Sequence, residues 1–122
     1  MDFSKNRPIY MQIVDHIVEQ ILLDRWPLGQ RVPSVRELGS HIEVNPNTVM
    51  RAYRDLEEKN ILYNKRGIGF FVSEDANKLI MKSKKSQFLK EDVPALFNKM
   101  ELLGLDMKIL EEEYAKFLKK KK

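Results

Sequence analysis

The chain contains no cysteine, which excludes a disulfide framework, a thiolate nucleophile and any zinc site built on sulfur. Histidine is nearly as scarce. There are two, His16 and His41, on separate predicted helices with no third ligand at metal-binding spacing, so no metal is expected. No apolar run approaches the roughly 20 residues that cross a bilayer, and Met1 to Pro8 hold no apolar stretch of signal-peptide length. No membrane association and a reducing cytoplasm are therefore expected. Glycine is sparse, and Gly67-Ile68-Gly69 between two strand-like runs is far too little for a phosphate loop. The acidic run Glu111-Glu112-Glu113 reads as a solvated helix face rather than an acid–base pair. No catalytic constellation and no cofactor site emerge, and the chain is not expected to be an enzyme.

What is present suits one small domain with an appended element: 122 residues, 43% hydrophobic and 33% charged. The net charge of +4 hints at nucleic acid, but the terminal run Lys119 to Lys122 accounts for all of it. Clustering of cations matters more than their sum, because exposed charges are screened beyond about 8 Å at physiological salt.

Pro8 suits the first turn of a helix on which Ile13, Ile17 and Ile21 recur with Val14, Val18 and Leu22 beside them, ending near Asp24. Pro27 and Gly29 interrupt it. Ser34 followed by Glu37 is a capping-box pair, and a second helix is predicted over 35–42. After the short link Glu43-Val44, Asn45 is a good N-cap and Pro46 a good first-turn residue for a third helix. Its apolar positions are Val49, Ala52, Tyr53 and Leu56, and Asn60 is suited to a left-handed cap. Ile61-Leu62-Tyr63 and Phe70-Phe71-Val72 read as strands of a hairpin with a basic, glycine-bearing tip. Helix, helix, helix, hairpin is the order of a winged helix-turn-helix, so a mainly α fold with a small β-hairpin is expected.

Beyond Ser73 a lysine-rich stretch, Lys82 to Lys85, leads into a second helical pattern of Leu89, Val93, Leu96, Met100 and Leu103. Gly104 can end that helix and Asp106 can cap another carrying Met107, Leu110, Tyr114 and Phe117. The expected division is a DNA-binding domain over 1–74 and a two-helix hairpin over 75–122 that serves dimerisation. Pro94 either kinks the first arm or marks the start of a separate helix.

If Val49, Ala52, Tyr53 and Leu56 face the core, Asn47, Arg51, Arg54 and Glu58 lie on the opposite face of the third helix. A solvated polar face would explain them, but a preceding helix across a very short turn makes this the helix that enters a major groove. Asn45, Asn47 and Thr48 at its N-terminus can meet base edges or phosphates, and Arg51 can reach either. Arg36 in the preceding helix could touch DNA, or pair with Glu37 or with a residue of the first helix. Lys65, Arg66 and Gly67 at the hairpin tip could approach a minor groove or flanking phosphates, with a plain surface hairpin as the alternative.

The segment Gly29-Gln30-Arg31-Val32-Pro33-Ser34-Val35-Arg36-Glu37-Leu38 resembles the signature of the GntR family of transcription regulators. Val44 to Val49, Ala52-Tyr53, Leu56-Glu57 and Gly67 to Val72 follow in family order, and Pro8 to Ile13 matches its opening, so the likeness spans about residues 3–73. It implies that Arg36, Asn45, Asn47, Thr48, Arg51 and the Arg66-Gly67 wing tip contact operator DNA. Asn60, Gly39 and Arg25-Trp26 depart from the usual pattern; Gly39 should cost on the order of 1 kcal/mol relative to alanine. Pro46, where some relatives carry arginine, bears on base preference.

Most members carry a larger effector-binding domain, for which residues 74–122 are too few. The short tail resembles the YtrA-like subgroup, in which it dimerises. The tail's apolar stripe could instead pack on its own winged helix, but a two-fold dimer gripping a palindromic operator is favoured. The resulting expectation is a homodimeric, sequence-specific regulator, a repressor, with double-stranded operator DNA as partner and no legible pocket for a small-molecule effector. The alternatives are a non-specific architectural DNA binder and a winged-helix protein-interaction module.

Overall fold

The computed structural model describes residues 7–121; residues 3–6 of the family-like opening and Lys122 of the lysine run lie outside the described residues. Helix α1 (Ile9–Leu22) follows Pro8 and stops two residues short of the expected Asp24, which takes a left-handed conformation (φ 60°) in the turn beyond it. Helix α2 (Val35–Ile42) begins at Ser34 with a complete capping box: the Ser34 hydroxyl accepts from the Glu37 N–H and the Glu37 carboxylate accepts from the Ser34 N–H, each at 3.1 Å. Helix α3 (Pro46–Glu58) starts at Asn45, whose side-chain oxygen accepts from the Asn47 N–H at 2.8 Å. Both caps satisfy donors that would otherwise be orphaned at a helix start.

The apolar stripes of these helices meet in one core. Ile13, Ile17 and Ile21 of α1 pack with Leu38 and Ile42 of α2 and with Val49, Ala52, Tyr53 and Leu56 of α3. No polar or charged residue is buried among the described residues, so the core is held by apolar burial, at about 1.5–3 kcal/mol per large side chain. Tyr53 is itself enclosed, and its hydroxyl donates to the Pro33 carbonyl at 2.6 Å. That bond ties the recognition-helix candidate to the loop that launches α2.

Strands β1 (Leu62–Lys65) and β2 (Gly69–Val72) form the antiparallel hairpin, with Leu62 opposite Val72 and Lys65 opposite Gly69. Arg66, Gly67 and Ile68 make the turn; the Ile68 N–H donates to the Lys65 carbonyl at 2.9 Å and Gly67 holds φ 80°, the type II position that glycine suits best. A third extended segment was not foreseen. Gly29 to Val32 lies along the other edge of β2, with Val32 N–H donating to Phe70 and Val72 N–H donating to Gln30, and an isolated bridge joins Arg31 to Phe71.

Helix α4 (Ala76–Gln87) buries Ala76 and Ile80 in the winged-helix core. The fold divides into two units, one ending at Lys82 and the other beginning at Ser83. After a π-helical turn at Phe88–Asp92, α5 (Val93–Leu103) follows without a break. Pro94 therefore neither kinks an α-helix nor starts a detached one. It has no N–H to give the Lys90 carbonyl, and the chain ahead of it widens so that Val93 N–H donates to Phe88, five residues back. Gly104 ends α5 in the left-handed conformation, and Asp106 caps α6 (Met107–Lys120) by accepting from the Ile109 N–H at 3.1 Å. Helix α6 has no buried residue.

Candidate nucleic-acid interface

The turn between α2 and α3 is tight for a specific reason. Glu43 adopts the left-handed conformation (φ 57°), and Val44 N–H donates back to the Gly39 carbonyl at 2.8 Å. A Cβ on Gly39 would stand 2.6 Å from the Val44 carbonyl oxygen. Gly39, which propensity alone marks as a weakness, instead provides the clearance that lets the two helices approach.

This turn brings one group of the sequence-predicted residues together. Arg36 of α2 and Asn45 and Asn47 at the start of α3 line a shallow concavity with Val35, Met50 and Arg54. Arg36 is exposed and has no ion pair among the described residues; the Glu37 carboxylate, one of its two suggested partners, is occupied by the Ser34 cap. That bond, with the backbone of Ser34 as its largest contribution, holds the Glu37 carboxyl below the usual glutamate range. Thr48 is half-buried and contributes its N–H to the first turn. Arg54 belongs to the concavity as fully as Asn47 does, a role its polar-face position allowed but did not single out.

Arg51 stands apart from this group. Its guanidinium lies over the Tyr10 ring of α1, 3.9 Å from the centroid, while the residue stays exposed. Stacking on an aromatic face leaves the guanidinium edges free to donate and limits its rotamers. Tyr10 was missed as a partner because nothing local in the sequence couples the first turn of α1 to the middle of α3.

The hairpin carries the third group. Arg66 and Gly67 form the exposed tip, where a Cβ on Gly67 would meet nothing within 4 Å. Lys65 is drawn back along the sheet, with its ammonium 4.5 Å from the Phe71 ring centroid, and Phe71 stacks on Tyr63 at 5.5 Å.

The tail residues expected to dimerise divide by exposure. Leu89, Leu96, Leu103, Tyr114 and Phe117 are exposed, Val93 and Leu110 are intermediate, and Met100 is buried at 7%. Phe88, Phe97, Leu102, Ile109 and Leu118, absent from the expected stripe, are exposed too. Among the described residues no group of histidine, aspartate and glutamate could hold a metal ion, and no helix is long and apolar enough to cross a membrane.

Comparison with known proteins agrees with this geometry. Residues 9–72 match the family described as bacterial regulatory proteins, gntR family. The chain is 35% identical over 112 residues to the HTH-type transcriptional repressor YtrA of Bacillus subtilis, an alignment covering 92% of this chain and 85% of that protein. A crystal structure of a GntR-family regulator from Bacteroides thetaiotaomicron shares 43% identity at a TM-score of 0.82, covering 94% of this chain and all of the other. The DNA-binding domain of AraR, solved in complex with operator ORR3, shares 27% identity at a TM-score of 0.54 over 60% of this chain and 88% of the other. The capped helix pair, the glycine-tipped wing and these likenesses together make the chain a member of the GntR family of DNA-binding transcription regulators, and not an enzyme.

Proposed function

We propose that the protein is a homodimeric repressor in the cytoplasm that binds a palindromic operator through residues 1–74 and dimerises through the part of the tail that follows Lys82. The observation that carries the DNA-binding part is the convergence of Arg36, Asn45, Asn47 and Arg54 on one exposed concavity at the start of α3. Amide and guanidinium groups there can pair with base edges in a major groove, and the N-terminus of α3 favours a phosphate. Arg51, propped on Tyr10, and the exposed wing residues Lys65, Arg66 and Gly67 supply the further contacts to DNA in this reading. AraR, whose DNA-binding domain is solved on an operator, supports this placement by likeness.

The dimer rests on the second unit. Leu89, Leu103 and Phe117 are 64%, 68% and 55% exposed, and this much exposed apolar side chain in one small unit favours association over solvation. A two-fold pair of winged helices would address half-sites about one DNA turn apart. The repressor assignment follows the relative named a repressor, acting by occupying an operator.

Selection of bound fragments from a random DNA pool tests the whole reading, the expected result being a palindrome with half-sites spaced by about 10 base pairs. Arg36→Ala and Arg51→Ala should each then weaken operator binding by about 1–3 kcal/mol. Binding without sequence preference would make the protein an architectural binder, and no retention of duplex at low salt would point to a protein-interaction module.

A further inference from the structure

The outer face of the wing carries two cations, one reaching over β2 from each side. Val32 points into the core, so strand alternation turns its neighbour Arg31 to the opposite face. The same holds for β2, where Val72 is buried and Phe70 packs edge-on to Tyr53 at 5.2 Å, leaving Phe71 and Gly69 outward. Lys65, opposite Gly69 on β1, shares that face. Arg31 approaches β2 from one edge and Lys65 from the other. A Cβ on Gly69 would stand 3.1 Å from the Arg31 Nε, so the missing side chain is what lets the guanidinium settle over the strand. Lys65 lies over Phe71, two residues along.

Both cations are exposed, and neither has an ion pair among the described residues. The carboxylate whose charge acts on Arg31, Glu37, is held by the Ser34 cap. Two like charges seated over one strand repel each other in the free protein, and an anion placed between them reverses that. The arrangement continues from the wing tip at Arg66 back toward the start of α2.

We infer that Arg31 and Lys65 form a phosphate clamp on the outer face of the wing, with Arg31 a DNA-backbone contact set in place by the absence of a side chain at Gly69. The inference rests on the reading of this chain as a binder of duplex DNA. A backbone contact adds affinity without reading sequence and releases condensed counterions, so it has its own signature in salt.

The test compares Arg31→Gln and Arg31→Lys with the full-length wild type on a duplex chosen by selection and on a random duplex, from 50 to 200 mM salt. Arg31→Gln should weaken both duplexes by a similar factor, about tenfold at the lower salt, and flatten the plot of log affinity against log salt by about one per bound chain. Arg31→Lys should restore most of the slope. Merely structural loss would leave the slope in place and lower the melting temperature instead. An unchanged slope in a folded Arg31→Gln, with the wild type still binding, would overturn the clamp alone. Failure of the wild type to hold any duplex at 50 mM salt would overturn the DNA-binding reading together with the clamp.

Discussion

Replacing Gly39 with alanine sets helix propensity against packing, and the structure decides which prevails. In an exposed helix interior the change should stabilise by about 1 kcal/mol, because alanine loses less backbone freedom on folding. At this position the new methyl would stand 2.6 Å from the Val44 carbonyl oxygen, with Pro46 N and Cα at 3.5 and 3.6 Å. The obstructing atom is backbone, in a turn already fixed by the Val44 to Gly39 hydrogen bond and by left-handed Glu43, so it cannot rotate away as a side chain would. Overpacking of this kind costs about 1–3 kcal/mol. A rigid obstruction belongs in the upper part of that range, leaving a net loss of about 1–2 kcal/mol. Urea unfolding at one fixed protein concentration would show a lower midpoint at unchanged slope, and the melting temperature would fall by about 4–8 °C per kcal/mol. Ser40→Ala, one residue on and exposed, gains propensity without obstruction and should raise the midpoint slightly. Operator binding by Gly39→Ala should weaken as well, since any relief of the contact shifts Asn45 and Asn47 relative to Arg36. An equal or higher midpoint for Gly39→Ala would refute the packing argument and restore the propensity one.

Glu43→Gly should stabilise the fold by about 0.5–1 kcal/mol in the same unfolding assay, because a side chain at φ 57° is strained where glycine is not, less the entropy glycine adds to the unfolded chain. Ser34→Ala should cost about 1 kcal/mol near neutral pH by removing the capping box. The Glu37 carboxyl is held below its usual range chiefly by the Ser34 N–H, which alanine at that position retains. A lowered carboxylate value contributes stability above the unfolded value and loses it on acidification, so wild type and Ser34→Ala should both lose stability as pH falls below about 4.3, whereas Glu37→Gln should lack that part of the pH dependence. Burial, opposed by Glu19, lowers His16 below its ordinary value, so the folded state holds fewer protons than the unfolded one below about pH 6.5. Wild-type stability should therefore fall as the pH drops from there through the lowered value, and His16→Gln should remove that part of the pH dependence in a melting series. Leu103→Lys with Phe117→Lys should lower the apparent mass in solution to that of one chain, with the winged helix still folded; an unchanged mass would place the dimer contact elsewhere.

Much of the fold was legible in the sequence because its signals are local. Ser34 with Glu37, Asn45 with Pro46, and the threes and fours of Ile13, Ile17 and Ile21 act within one or two turns, and each produced the element they indicate. Asn60 took the left-handed conformation expected of it. The polar face of α3 followed from the same periodicity. Side chains that meet across elements were not legible. Tyr10 under Arg51, Arg31 over Gly69 and Tyr53 on Pro33 join residues 20 to 41 positions apart, and no pattern in the chain marks such pairs before the core brings them together. The extended segment at Gly29 to Val32 was missed because four residues set between Pro27 and Pro33 carry too short an alternation to stand out. The sequence alone determined where α2, α3 and α6 begin, which face the first three helices bury and that a basic hairpin follows, because capping and amphipathic burial depend on near neighbours; the helix over Ala76–Gln87 carried no such signal. Tertiary structure alone decided that Gly39 is a clearance rather than a weakness and that Arg31 joins the wing. Those outcomes depend on the distance between backbones, which is fixed only when the core closes.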